Sequence, residues 1–578
     1  MAAQPVVTLE QEGRLDSWKE IAAFLRRGVR TVQRWEAAEG LPVHRHQHAK
    51  LGSVYALKSE VAAWWESREA KRRAAPIRPV ARRAAPARSL PAVEGAEGQR
   101  RNRLLVLPFA NLSGDAKQDY LSDGLTEEMI NRLARLHPAR LGVIARTTAL
   151  SYKSGSKPAD QIAAELDLDY ILEGSVRSSP ARGGGGDHIR VSAQLVDARE
   201  HTHLWAENYD RGLSDVLELQ DSLATAIARE VRLAITPVEH GAGRRPPWRV
   251  DPEAYQAFLM GRYLFNKMTA ASLAQSLEWF ERAVARDSSL VLAWAGIAQA
   301  YGLLTTVPFD ALPPREAMPK AAAAARKALE LDASLPEAHA ALGLVLHHYE
   351  WKWEEAERAY QRALELNPDY SAALLRYAWL LLARGRPADA LARISRAQEI
   401  AEELDPHLLV AIRATRAAAF YYARNFDAAV GECRAALALD KHDFLLHYLL
   451  GCAQLRKGAL RAGLTTFVEA KNAWRDVPLV AAGVGIAQAI AGRKKHAVAI
   501  LERLEAQRKQ RYIPAIYIGI LCAALRDYDR AFKWLERAFE ERADGLVLLN
   551  ADPMVDGMRQ EPRFQSLVQR LGLATARA

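Results

Sequence analysis

From about residue 250 onward one residue grammar repeats, with small side chains at fixed offsets from large ones. Trp294, Ile297, Ala298 and Tyr301 are followed by Ala356, Tyr360, Ala363 and Pro368, then by Tyr377, Ala378 and Leu381 with Ala390, Ile394 and Ala397. Later copies carry Leu450-Gly451 with Phe467 and Ala470, and Ile518-Gly519 with Ala531, Leu535 and Ala538. The unit is a helix pair of about 34 residues. Small residues mark where two helices approach most closely, and large ones fill the groove beside them. A single pair cannot cover its own apolar face, so stacking is obligatory and predicts an all-α superhelix over residues 250–578 with a long concave surface. VPLVAAGVGIAQAIAG, residues 477–492, falls short of the ~18 to 20 apolar residues of a membrane span and fits a repeat helix. His347-His348 and YEWKWEEAE fall in a connection between helices, where solvent exposure and groove filling account for them. NADPMVDGMRQEPRFQSLVQRLGL, with Pro553 and Pro562 before an amphipathic stretch, reads as a C-terminal cap.

A chain of 578 residues exceeds one core, since single cores stop growing near ~250 to 300 residues. The sequence predicts a multidomain chain: a small winged helix-turn-helix over 1–67, a basic linker over 68–102, a central α/β domain over 103–240 and the repeat superhelix. In the α/β region LLVLPFANL and RLGVIARTTAL read as strands, while YLSDGLTEEMINRLARL and DQIAAELDL read as helices. YILEGSVRSS and HIRVSAQLVDA form a hairpin around ARGGGGD, followed by a long helix. Phe109, Asn111, Ser113, Asp123, Gly124, Thr126 and Glu127 surround the first strand-to-helix turn, where a ligand cleft forms in open α/β sheets. Turn formation and N-capping by Asp123 or Thr126 is the plainer role there.

Charge is concentrated. The net +10 comes almost wholly from Arg68 to Arg103, which holds eleven Lys/Arg against three Asp/Glu, whereas Met1 to Ser67 holds nine against eight. The segment mixes Arg, Ala and Pro with few large apolar residues. It cannot offset its ordering entropy by burial, so it reads as a flexible linker whose charge suits a polyanion.

Before it, Ser17-Trp18-Lys19-Glu20 reads as a capping box, with Ile21, Phe24 and Leu25 on the apolar face of the helix it starts. Gly28 breaks that helix, a second begins near Val29, and Gly40 with Pro42 ends it. LPVHRHQHAKLGSVYAL is a hairpin, and Ser59 caps a last helix bearing Val61, Trp64 and Trp65. On the second helix Val32 and Trp35 share one arc and pack, while Arg30, Thr31 and Arg34 share another that is free, flanked by Arg27 and Gln33. Guanidiniums and a hydroxyl presented this way suit a major groove.

Two resemblances accompany these readings. SWKEIAAFL, VRTVQRWE, GLPVHR and SVYALKSEVAAWW resemble the MerR and excisionase type of winged helix-turn-helix over about 60 residues. The resemblance implies that Thr31, Gln33 and Arg34 lie at the recognition surface, and that His44 to Tyr55 form the wing with Arg45 and Lys50 near phosphates. LLVLPFANLSGD, VIARTTALSYK, IAAELDLDYILEGSVR and LWAENYDR resemble the TolB amino-terminal-like, or FlgO-like, domain, which implies interaction or sensing. The repeat period is that of tetratricopeptide arrays, which implies a peptide or protein partner in the concave groove.

Other constellations are thinner. His44, His46 and His48 alternate and share a strand face, as metal ligands or as a polar wing. Gly183 to Gly186 suit a hairpin turn better than a phosphate cradle, because no Lys-Ser/Thr follows. No nucleophile elbow, Walker motif or paired-carboxylate arrangement is present, so neither catalysis nor a cofactor is expected. Cys433, Cys452 and Cys522 read as buried thiols of a reducing compartment, and the Arg/Pro linker cannot enter a bilayer. The reading is a cytoplasmic regulator that binds double-stranded DNA, is not inserted in a membrane, and dimerises if its operator is palindromic. The alternative is a scaffold whose repeats assemble protein partners and whose first module docks on protein.

Overall fold

The computed structural model describes residues 14–15, 17–25, 32, 36, 41–45, 54–64, 101–115, 118–136, 138, 140–153, 157–179, 188–231, 250–474 and 476–573. They fall into two compact units, 1–95 and 96–578.

In the first unit Ser17 caps the helix Trp18–Phe24, its hydroxyl accepting from the Glu20 N–H at 3.2 Å. Strands β1 (Arg14–Leu15), β2 (His44–Arg45) and β3 (Val54–Leu57) form an antiparallel sheet in the order β1-β3-β2, and residues 58–64 are helical. Ile21, Ala22, Val32, Leu41, Ala56 and Val61 make its core, with Trp18 and Leu25 packed against it. Phe24, expected on the packed face, is instead 42% exposed. At 100° per residue Trp18, Ile21, Ala22 and Leu25 occupy one arc, and Phe24 falls about 60° outside it.

The second unit opens with a mixed sheet in the order β6-β4-β7-β8-β9, with β5 also paired to β7. Its strands are β4 (Asn102–Val106), β5 (Ala110–Asn111), β6 (Leu141–Val143), β7 (Tyr170–Ser179), β8 (His188–Asp197) and β9 (Thr202–Gly212). β4 lies parallel to β6 and β7 and buries Leu104, Leu105 and Val106 in succession, as a strand covered on both faces does. β7, β8 and β9 are antiparallel, and β8 buries only Ile189, Val191, Ala193 and Leu195 in alternation, so this half has one open face. The second half of RLGVIARTTAL, expected as strand, is the helix Arg146–Leu150. Its backbone leaves the sheet because the Ala145 N–H donates to the Leu404 carbonyl at 2.9 Å rather than to a neighbouring strand.

Eight helix pairs follow among the described residues, from Pro252–Phe265 with Ala270–Arg286 to Ala515–Ala524 with Tyr528–Glu541, and the helix Pro562–Arg570 comes last. The small-and-large grammar has a direct geometric meaning. The Phe280 ring lies where Cβ atoms on Gly261 and Gly296 would stand 2.6 and 2.8 Å from it, and Phe467 lies in the same way between Gly451 and Gly483. Each of these two rings is thus wedged between the backbones of two first helices, that of its own pair and that of the next.

The α/β domain is seated on this array. Gln220 donates to the Tyr255 hydroxyl at 2.7 Å. Glu127 accepts from Arg262, from Asn266 at 2.6 Å, and pairs with Arg146 at 3.2 Å. Arg101, assigned by composition to the linker, is partly buried in ion pairs with Asp369 and Glu403. The linker therefore yields to fixed structure by Arg101, because two carboxylates of the array hold that guanidinium in place.

Gly451→Ala is expected to lower stability by about 1–3 kcal/mol, as overpacking against a ring does. A Gly451→Ala/Phe467→Leu double variant is expected to lose less than the sum of its parts. Thermal denaturation of the single and double variants checks both.

Candidate protein-interaction groove

The first helices of the pairs stack on one another along one side of the array. Two of them are apolar all round: residues 515–523 and 479–487 are buried without a break. A helix apolar on every side needs cover on every side. Second helices supply one flank; the chain's own C-terminal segment supplies another.

That segment runs through two 3₁₀ turns, Asp544–Leu548 and Pro553–Met558, before its final helix. It touches helices belonging to pairs far apart in sequence, so those helices wrap around it. Asp544 accepts from the Val307 N–H at 3.1 Å and pairs with His348. Asp552 accepts from the Tyr421 hydroxyl at 3.1 Å. Asp556 is gripped by Arg424 at 2.6 and 2.8 Å, by Arg456 at 2.9 Å and by Arg559 at 2.7 Å. Leu546, Val547, Leu549, Val555 and Met558 are buried between these anchors. The Trp353 indole donates to the Leu571 carbonyl at 2.8 Å, which returns the end of the segment to the third pair. The array itself curls until its eighth pair meets its second and third. Tyr517 bonds Asp310, Arg315 reaches the Glu540 carbonyl, and Arg542 lies 3.8 Å over the Trp351 ring, which also packs on Phe539.

Titratable groups gather at this closure. Burial, then the charge of Asp544, pushes the Asp310 carboxyl up to about 7. Burial also raises Asp552 and holds His347 well below the usual imidazole range. Asp556 would be raised by burial, but hydrogen bonds from Arg424 and Arg559 hold it below the ordinary carboxylate range. His347, read as part of a connection accounted for by solvent exposure and groove filling, is fully buried in the π-helical turn Leu346–Glu350. The reason is that Asp544 and the chain after it cover this turn.

The residues expected to contact DNA are placed differently. Arg27, Arg30, Thr31, Gln33, Arg34 and Lys50 lie outside the described residues, as do His46, His48 and Gly183 to Gly186. Arg45 is described by its backbone alone, in β2. His44 bonds Glu60 at 2.7 Å and stacks on Tyr55. The expected cleft residues of the α/β domain are engaged within the domain or, for Glu127, with the helical array. The Phe109 N–H donates to Thr126, Asn111 bonds Asp119, Asp123 holds Lys153 at 2.7 Å, and Glu127 faces Arg262. Asp123 and Thr126 are not N-caps, because the helix Asp119–Leu136 starts before them. Among the described residues no three His, Cys, Asp or Glu side chains are grouped as metal ligands, and no helix is long and apolar enough to cross a membrane. Cys433, Cys452 and Cys522 are buried and unpaired, and burial pushes the thiols of Cys433 and Cys522 up to about 12.

The anchors Asp310, Arg424, Arg456, Tyr517, Asp544 and Asp556 were not singled out by sequence, and His348 was read only as part of a helix connection. A signal does exist in DGLVLLNADPMVDGM: acids alternate with apolar clusters at no helical period, so the segment needs a surface elsewhere on which to bury them.

The tetratricopeptide-repeat family model matches residues 351–411. A protein of Rhizobium meliloti strain 1021 described as putative adenylate cyclase 3 is 33% identical over 256 residues, 44% of this chain; the chain spans 42% of that protein's length. Solved structures similar to parts of the chain include PilW, a type IV pilus biogenesis factor (16% identity, 38% of this chain and 93% of that one, TM-score 0.32). YrrB, described as having an unusual peptide-binding site, is 20% identical (35% and 95%, TM-score 0.24), and human IFIT1 with a capped RNA is 13% identical (62% and 84%, TM-score 0.36).

Asp310 binds its proton more tightly in the folded chain than in the unfolded one. Its contribution is therefore fully present below pH about 4 and is lost as pH rises to about 7, at about 1.4 kcal/mol per pH unit at most. Asp310→Asn is expected to flatten that fall, as measured by the thermal midpoint of wild type and variant across this window.

Proposed function

We propose that the chain is a non-enzymatic, cytoplasmic interaction platform, in which a tetratricopeptide superhelix with an α/β domain fixed to it receives a protein or peptide partner. The observation that carries this reading is the inner face lined by stacked first helices, in a chain whose residues 351–411 match the repeat family. Such faces recognise peptides by side-chain pockets rather than by reaction chemistry. The fixed α/β domain adds a second surface, the open side of its sheet. There Arg177, Arg190, Ser192, Asn208 and Asp210 line a shallow depression beside Leu112. Free, buried thiols accord with a reducing compartment. The cyclase name attached to the relative is not carried over, since more than half of that protein lies outside the match. Crosslinking of the full chain in its host, followed by peptide mapping, is expected to place partner crosslinks on helices 371–383, 409–422 and 444–456. Partner crosslinks confined to other surfaces would overturn the reading, as would conversion of ATP to cyclic AMP by the purified chain.

A second reading adds DNA. The Ser17-capped helix, its small core around Ile21 and Val32, and the β1-β3-β2 ladder support a winged helix, with a strongly basic segment after it. On this reading Arg30, Thr31 and Arg34, with Arg27, Gln33, Arg45 and Lys50, bind the duplex, and the TolB amino-terminal-like domain and repeats transmit a partner's signal. A gel shift with a random duplex is expected to weaken steeply with salt. Retention of full binding by Arg30→Ala/Arg34→Ala would refute it.

A further inference from the structure

We propose that residues 544–558 are a tethered occupant of the partner groove, displaced by a peptide segment of a partner protein that carries carboxylates between apolar residues. This rests on the platform reading and specifies what the groove takes.

The occupant's own chemistry defines the seats. One seat combines the Val307 N–H with His348 and holds Asp544. A second is the Tyr421 hydroxyl, which holds Asp552. The third is the pair Arg424 and Arg456, which holds Asp556 from the array side. Apolar side chains from Leu546 to Met558 fill the space between the seats, against first helices of several pairs. A groove so lined is complementary to an acidic, apolar peptide. It repels a basic one at its third seat.

The way the segment is held suits exchange. It forms two short 3₁₀ turns, which have poor intrinsic hydrogen bonding, and no α-helix or strand ladder joins it to the groove. Its polar anchors are carried by three carboxylates, Asp544, Asp552 and Asp556, whose partners on the array are side chains apart from the Val307 N–H.

Tethering sets the competition. A tail linked directly to the eighth pair faces its seats at an effective concentration near the millimolar range, so a free peptide must bind better or find the tail weakened. The test uses the full-length chain and a fluorescein-labelled synthetic peptide of residues 544–573 as the probe. Wild type is expected to bind the probe weakly by fluorescence polarisation. Asp544→Ala/Asp556→Ala, which loosens the tail and leaves the seats intact, is expected to bind it at least tenfold more tightly. Adding Arg424→Glu is expected to abolish the gain. In wild type, hydrogen exchange of the amides from Leu546 to Met558 is expected to run at least tenfold faster than in the helix 371–383 beneath them. Exchange of those amides only with global unfolding would overturn the proposal, even if the loosened variant failed to fold. So would a folded, loosened variant that binds the probe no better than wild type. Partner crosslinks on the groove helices together with a tail that never opens would refute the displacement and leave the platform reading standing.

Discussion

The wedge of a large ring between two glycine-bearing helices governs the C-terminal architecture. Phe280 and Phe467 each press on the first helix of their own pair and on that of the next, so each wedge fixes two neighbours at once. Dispersion contacts are individually small, but a ring seated against two backbones makes many of them and tolerates no added methyl. In the first and sixth pairs this contact sets the spacing at which neighbouring first helices line up. The inner face follows from it.

On that frame the α/β domain is held by charge as much as by apolar area. Burial would lower the affinity of Arg262 for its proton, yet Glu127 and Glu128 raise it, so the cation persists inside the interface. Glu128, buried beside them, is itself raised, chiefly by burial. Such a network is costly to break, because removing one member strands the others out of water. The domain is thereby tied to the first four pairs at Arg101, Glu127 and Ala145.

How much of this was legible in the sequence depends on the range of the cause. Helix pairs follow from local period, and the hairpin of β7 and β8 from alternation and a glycine turn; both were readable. Leu104 to Val106 read as strand from a short continuous apolar run. Phe24 was misplaced because three apolar residues in a short helix admit two packing arcs, and only the sheet beneath chooses between them. Arg101 looked like linker because its partners, Asp369 and Glu403, lie hundreds of residues away. His347 read as part of a connection because its cover, the chain around Asp544, comes near the end of the sequence. The nature of the candidate groove was legible, whereas its present occupant was not, since nothing local in DGLVLLNADPMVDGM states which helices will receive it.

The meeting of the eighth pair with the second and third bears on how such a chain changes over generations. An open solenoid gains or loses a unit at little cost, because each unit knows only its neighbours. Here Tyr517 must reach Asp310, and Trp353 must reach Leu571, across the turn of the coil. Inserting or deleting one pair between them would rotate the two ends out of register and strand every anchor of the tail together. Closure thereby ties the number of units to the anchors at the two ends, a constraint that an open solenoid lacks.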